Sequence, residues 1–368
     1  MKITAAVCRA PQHPLSFEQL DIEEPRDNEV LVRVTSCGVC HTDMAMRDQV
    51  YPVPQPVVLG HEGAGFVEKI GRSVSGFAPG DPVIISYSSC GVCPTCLDAA
   101  SGLCHHYWDY NFASRRLDGS TALRNGHEEI HSHFFGQSSF ATYALTRPDN
   151  LVKLETTENM DCLGPLGCGI QTGAGAVMNV MRVRPGDSVA VFGTGSVGLS
   201  AVMAAQVCGA AVIVAVDLNA QRLALAKELG ATHTINSARV DDLVTAVREA
   251  TGGRGVNYSL DTTARESLLN AQVDCLDIRG KAVIVGASPQ GTRINLDAVP
   301  FMNQGKTIMG AVEGNCVPKR FLPRLIALFR QGRFPLDKLI TFYPFEQINQ
   351  AIEDSEKGLA IKAVVKMP

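Results

Sequence analysis

The chain has no basic patch. Lys and Arg number 33 against 37 Asp and Glu, and the net charge is −4 with a pI of about 6.1. That balance argues against nucleic acid and anionic membrane surfaces as partners. Tandem repeats and low-complexity segments are also absent. The opening Met1-Lys2-Ile3-Thr4 runs straight into a strand-like pattern, so no secretory signal is expected. A disulfide framework is therefore not expected despite 12 cysteines, and a reducing, cytoplasmic location is. Ser188–Val216 carries no charged residue and is the one run long enough to raise a membrane helix. Gly193, Gly195, Gly198 and Gly209 interrupt it, its ends are β-branched and its middle is rich in small residues. It reads as a buried strand–helix–strand unit. At 45% hydrophobic and 19% charged, the remainder is ordinary globular protein.

What is present is a cluster of thiols. Cys90, Cys93, Cys96 and Cys104 fall within fifteen residues, separated by two, two and seven others. Such a loop can set four thiolates around one ion in a tetrahedron, which suits zinc and leaves no open position for a substrate. An iron–sulfur cluster, a disulfide pair or buried free thiols are the alternatives.

The segment to about residue 163 is rich in short β-like runs, such as EVLVRVTSCG, GAGFVEKIG and DPVIISY, separated by Gly and Pro. Residues 105–133 read as one long polar loop, functional or interface-forming. From 164, strand-like VAVFG, VIVAVD, YSLDTT and AVIVG alternate with helical stretches, which predicts a parallel, doubly wound sheet over 164–302. Residues 303–368 return to a mixed pattern. The closing AIKAVVKM reads as a strand joining the first lobe, so that 1–163 and 303–368 form one discontinuous domain.

Gly193-Thr194-Gly195-Ser196-Val197-Gly198 follows a strand and opens a helix. Its glycines permit a tight turn and close approach of a pyrophosphate at a helix N-terminus. Asp217 ends the next strand, nineteen residues after Gly198. A carboxylate there can accept hydrogen bonds from ribose hydroxyls and repel a 2′-phosphate, favouring NAD over NADP. Arg222 reads as a ribose or adenine neighbour, or as an exposed helix charge.

Three further sequence points are Cys37-Gly-Val-Cys40-His41-Thr42-Asp43, Gly60-His61-Glu62-Gly63-Ala64-Gly65 and Gly164-Pro-Leu-Gly-Cys168-Gly169. Alone, Cys37 and Cys40 suit a zinc or redox pair, and His61 a structural histidine. Together with GHEGAGFVEKIGRSV, the four-cysteine loop and GTGSVG, they occur in an order that resembles the zinc-dependent medium-chain alcohol dehydrogenases over essentially the whole length. The stretches HSHFFGQSSFATYAL and AVEGN resemble the bacterial aryl-alcohol (benzyl alcohol) and geraniol dehydrogenases within that family.

The resemblance implies an α/β protein with a GroES-like β-rich catalytic domain and a Rossmann domain. It implies two zinc ions per chain, a catalytic one on Cys40, His61 and Cys168 and a structural one on Cys90, Cys93, Cys96 and Cys104. Cys37 becomes a neighbouring structural thiol. Thr42 takes the alcohol proton, Asp43 orients His61, and Glu62 approaches the zinc from behind or pairs with a buried base. His41 faces the pyrophosphate and Thr172 and Val197 press on the nicotinamide. The backbone of Val285, Gly286 and Ala287 bonds its carboxamide, and Lys362 meets a phosphate. A homodimer or homotetramer is implied.

Two positions depart from the liver-type enzymes. Ala45 stands where a histidine ends their proton relay. Ser86 stands where a large aromatic lines their pocket, so an enlarged pocket is expected, walled by residues such as Tyr51, Tyr87 and Phe134. The reading is NAD-dependent oxidation of aromatic or allylic primary alcohols. The rival enzyme is a glutathione-dependent formaldehyde dehydrogenase, which needs an anion-binding arginine such as Arg115, Arg116 or Arg124. The rival from another class is a non-catalytic zinc protein that binds a partner.

Overall fold

The computed structural model describes residues 1–368. They divide into two compact units. The first holds Met1–Gly169, Val317–Arg324 and Asp337–Pro368, and the second holds Ile170–Cys316 and Leu325–Leu336.

The first unit is built on two sheets. Its strands are β1 (Lys2–Cys8), β2 (Ser16–Ile22), β3 (Val30–Gly38), β4 (Val57–Val58), β5 (Gly63–Ile70), β6 (Pro82–Ile85), β7 (Leu123–Asn125), β8 (Glu128–Ile130), β9 (Tyr143–Thr146) and β10 (Leu151–Lys153). One sheet runs β4-β1-β2-β7-β8. In the other, β3 alternates its apolar side chains, and Val30, Val32 and Val34 enter a core with Val67, Val83, Ile85, Ala144 and Leu151. Arg33 points to the opposite side and is itself exposed.

β3 is also the strand that places the chemistry. It lies antiparallel to β5 with Cys37 opposite Gly63. The residues that leave β3 and those that enter β5 therefore meet at one sheet end. Cys40 comes just after β3, and His61 and Glu62 just before β5. The 105–133 segment is not an open loop: it holds the helix Tyr107–Asn111 and the β7–β8 hairpin, which extends the first sheet.

The second unit contributes β11 (Ser188–Phe192), β12 (Val212–Asp217), β13 (His233–Asn236), β14 (Val256–Asp261), β15 (Leu276–Ile284) and β16 (Thr307–Gly310). All pairs are parallel, in the order β13-β12-β11-β14-β15-β16. That is the dinucleotide-binding order, with its switch point between β11 and β14. β11 is buried throughout, as a parallel strand covered on both faces must be, and the uncharged run after it forms the helix Ser196–Val207. Residues 303–316, assigned to the β-rich domain on sequence pattern, belong here, because β16 completes this sheet.

The chain closes in the first unit with β17 (Ile340–Pro344) and β18 (Lys362–Lys366), joined through the helix Ile348–Glu356. β18 lies antiparallel to β3 with Val364 opposite Gly38. This brings Lys362 to the sheet end that holds Cys40 and His61.

Candidate active site and metal centre

Cys40 caps the helix His41–Arg47. Asp43, in the first turn and without exposed area, accepts the Cys40 amide through Oδ2 at 3.0 Å. Its Oδ1 accepts the Gly60 amide at 3.0 Å and faces His61 Nδ1 at 2.8 Å. One buried carboxylate thus fixes the helix start, the chain before β5 and the imidazole. It holds the Nδ1 proton and leaves Nε2 bare.

His61 Nε2 is buried and has no hydrogen-bond partner. An orphaned ring nitrogen in a protein interior is costly unless something else satisfies it. The donor atoms of Cys40, His61, Glu62 and Cys168 lie within 4.8 Å of one another. Two sulfurs and one nitrogen converging on one point are a zinc donor set that leaves a fourth position open. The residues fit the ion. Thr42 lies beside this set, with Oγ1 3.7 Å from Cys40 Sγ, while His41 is exposed.

Glu62 is engaged elsewhere. Lys362 Nζ donates to both of its oxygens at 2.9 Å and to the Val39 carbonyl at 3.1 Å. The Gly169 amide donates to Oε1 at 3.1 Å. Burial pushes the Glu62 carboxyl up to about 7, against the pull of Lys362. A Cβ at Gly38 would stand 1.9 Å from Glu62 Oε2, so only glycine lets the carboxylate reach this place. The expectation that Lys362 meets a phosphate is corrected: it is 2% exposed and its ammonium is spent on Glu62 and Val39.

The other four cysteines form a separate cluster. Cys90 and Cys96 sulfurs are 3.9 Å apart, as are those of Cys93 and Cys104. A tetrahedron of bonds of about 2.3 Å has edges near 3.8 Å, so the spacing suits zinc and is far too long for a disulfide. Backbone amides of Cys93, Cys90 and His106 point at these sulfurs at 3.3–3.4 Å. N–H donors of this kind stabilise thiolates. All twelve cysteines are free.

The aromatic side chains form a run that ends on His61. Trp108, 47% exposed, packs on Tyr51 and on Phe112, with centroids 6.4 and 4.5 Å apart. Phe112 meets Phe135 at 5.1 Å, and Phe135 stacks on the His61 ring at 4.4 Å. Phe134 meets the same ring edge-on at 5.4 Å. Phe135 escaped the sequence reading because its place depends on left-handed backbone, at His133 (φ 65°) and at Phe135 itself (φ 52°). Gln137 was missed too: its amide donates to the His61 carbonyl at 3.0 Å and its Oε1 accepts the Gly63 amide at 3.2 Å.

Ser86 does not line an enlarged pocket. It has no exposed area and donates its hydroxyl to the Gly167 carbonyl at 2.7 Å. Tyr87 is also interior, 2.7 Å from Ser101 Oγ, and Phe134 is fully buried. Of the four residues expected at the pocket, only Tyr51 is half-exposed. Of the arginines needed by the formaldehyde reading, Arg116 is committed to Glu29 and Glu23 and Arg124 to Glu129, while Arg115 has no carboxylate partner.

In the second unit, the glycine loop is built as its sequence demands. Gly193 has φ 90°, and a Cβ on Gly198 would stand 1.8 Å from the Gly193 carbonyl. Asp217 Oδ2 accepts the Thr194 amide and hydroxyl at 2.7 and 2.8 Å, and Oδ1 accepts the Asn219 amide at 2.9 Å. Gly195 caps the helix that Ser196 and Val197 begin. Arg222 lies on the next helix with Nε buried and unpartnered. Thr172 Oγ1 is 3.4 Å from Glu313 Oε2. The Val285 and Gly286 amides both donate to the Asp261 carbonyl, so the expected backbone contacts there are limited to their carbonyls and to Ala287.

Residues 26–156 match the alcohol dehydrogenase GroES-like domain and residues 196–331 the zinc-binding dehydrogenase model. A geraniol dehydrogenase from Castellaniella defragrans is 43% identical over 98% of this chain and 96% of its own. The chain belongs to the zinc-dependent alcohol dehydrogenase family. A benzyl alcohol dehydrogenase from Acinetobacter calcoaceticus is 46% identical, covers all of both chains and superposes with a TM-score of 0.97. An alcohol dehydrogenase zinc-binding domain protein from Burkholderia ambifaria is 51% identical over 100% of this chain and 99% of its own, with a TM-score of 0.98. The two units are thus the GroES-like and Rossmann-like domains of a zinc-type alcohol dehydrogenase. No helix is long and apolar enough to cross a membrane.

Proposed function

We propose that this alcohol dehydrogenase oxidises primary aromatic or allylic alcohols to aldehydes, reversibly, with transfer of hydride to NAD. The observation that carries the substrate class is the accessible aromatic area of exposed Trp108 and half-exposed Tyr51 and Phe112, backed by buried Phe135 stacked on the His61 ring. A flat unsaturated group can bury its area against such a surface and stack on it. The names of the geraniol and benzyl alcohol relatives support the same class.

Cys40, His61 and Cys168 would hold one zinc and the Cys90–Cys104 cluster a second. Bound at the first set, zinc supplies a Lewis acid that lowers the pKa of a hydroxyl. The chain's own residues do the rest. Asp43 keeps the His61 proton on Nδ1. Thr42, two residues after Cys40, accepts the alcohol proton. Ala45 cannot carry it further, so it leaves through another group. Lys362 balances Glu62 and keeps a second negative charge from crowding the thiolates. The alcohol loses a proton to this relay and a hydride to the cofactor, and so becomes the aldehyde.

Asp217 supports NAD: its oxygens are set by Thr194 and Asn219 at the strand end where an adenosine ribose would lie. The free thiols suit a reducing cytoplasm. The outer side of β16 is unpaired, which supports self-association through this sheet edge into a homodimer or homotetramer. The test is steady-state turnover of benzyl alcohol, cinnamyl alcohol and geraniol with NAD and with NADP. Preference for NADP, or turnover only of formaldehyde with glutathione, would overturn the proposal.

A further inference from the structure

The β-rich unit contains a cavity of about 340 Å³ that no step above uses. Four of its lining residues are arginines: Arg26, Arg115, Arg116 and Arg147. Three have carboxylate partners. Arg116 holds Glu29 at 2.6 Å, Arg26 holds Asp118 at 2.6 Å and Arg147 holds Asp149 at 3.1 Å. Arg115 has none; its one hydrogen bond is a 3.4 Å contact to the Ala113 carbonyl two residues back. The cavity therefore presents one exposed guanidinium, Arg115, with no carboxylate partner, beside one carboxylate, Asp109, whose only ion-pair contact is His106 at 3.9 Å.

A second observation points the same way. His133, 8% exposed, lines the cavity, and its buried Nε2 has no hydrogen-bond partner. The nearest carboxylate, Glu29 Oε1, is 3.8 Å away, beyond hydrogen-bond reach. Its other nitrogen is 2.8 Å from Ser132 Oγ, so the ring is held in place. Buried polar atoms in a roomy polar site are satisfied by a ligand or by solvent.

We infer that this cavity is a binding site for a small organic oxyanion, held by Arg115 and completed by His133. Guanidinium engages carboxylate and phosphate alike through paired N–H donors. The volume is in the range of small-molecule sites. Tyr110, on which the Arg147 guanidinium stacks at 5.5 Å, supplies a flat wall for the ligand's carbon skeleton. Occupancy is readable from outside, because the sole tryptophan, Trp108, sits two residues before Tyr110 on the same helix.

The experiment titrates the full-length, zinc-loaded protein with succinate and, separately, with inorganic phosphate, at ionic strength held constant with chloride. Trp108 fluorescence and calorimetric heat are followed together. Saturable binding of either anion is expected, weakened at least about 10-fold in Arg115→Gln, with alcohol turnover unchanged. Response to succinate alone identifies a carboxylate ligand, and response to phosphate alone a phosphorylated one. Absence of saturable binding to both by both readouts, or equal affinity in the Arg115→Gln protein, would overturn the assignment. Binding at the zinc instead is recognised by that same equal affinity.

Discussion

Asp43 and His61, eighteen residues apart and both without exposed area, are joined by a 2.8 Å contact between Oδ1 and Nδ1. This contact decides which imidazole nitrogen is left for a metal. Asp43→Asn keeps the shape and removes the charge. Zinc affinity at the Cys40–His61–Cys168 set, or kcat with it, should fall by about 10- to 100-fold. Chelator competition with metal analysis checks this; unchanged metal retention and kcat would remove Asp43 from the account.

The two cysteine sets should fail differently. Cys168→Ser should remove one of two zinc ions and abolish turnover while leaving thermal stability largely in place. Cys96→Ser should chiefly destabilise the lobe, because a structural zinc contributes to folding itself. Metal stoichiometry and a melting curve on each variant separate the two. Identical behaviour of the variants would contradict the division of roles.

Acid stability should depend on Glu29 and Arg116, whose side chains are each 6% exposed. Burial alone would raise the Glu29 pKa, but the Arg116 guanidinium at 2.6 Å and the Arg26 amide at 3.0 Å override it and hold the group at about 2, below its ordinary 4.5. A depressed folded-state pKa stabilises above the unfolded value and loses that contribution as pH falls from 4.5 towards 2. Arg116→Gln strands the buried carboxylate and should cost roughly 3–5 kcal/mol near neutral pH. The loss should shrink on acidification, which denaturant unfolding at several pH values measures. A cost that is constant with pH would contradict the pairing.

Ser86→Phe tests whether Ser86 lies in a filled interior. In an open pocket the larger ring would retune specificity. In a filled interior it must displace the Gly167 carbonyl contact and its neighbours, at a cost of about 1–3 kcal/mol or more. A lower Tm is expected. An unchanged Tm with shifted alcohol preference would restore Ser86 to the pocket wall.

What the sequence disclosed follows from locality. The cysteine loop and the glycine turn are set by residues close in sequence, and their spacing alone carries the chemistry. β11 and β12 are legible because central parallel strands, covered on both faces, are nearly continuous apolar runs. Lys362 and Glu62 are 300 residues apart, and only the antiparallel pairing of β18 with β3 brings them together. Family pattern gave Lys362 a phosphate, whereas burial gave it a carboxylate. Ser86 was judged by residue size, and its zero exposure comes from packing against the 164–167 turn. Residues 303–316 lack a strong period, so only the sheet itself shows which unit they complete.

The central claim is an NAD-dependent zinc enzyme whose aromatic wall selects unsaturated alcohols. It is tested most directly by kcat/KM for benzyl alcohol, cinnamyl alcohol and geraniol against ethanol, with NAD as cofactor. Burying a ring or prenyl unit at roughly 25 cal/mol per Å² gains a few kcal/mol over ethanol, part of which offsets ordering. The account predicts a ratio of at least about 100, or roughly 2.7 kcal/mol in transition-state stabilisation. Equal efficiency with ethanol would contradict it.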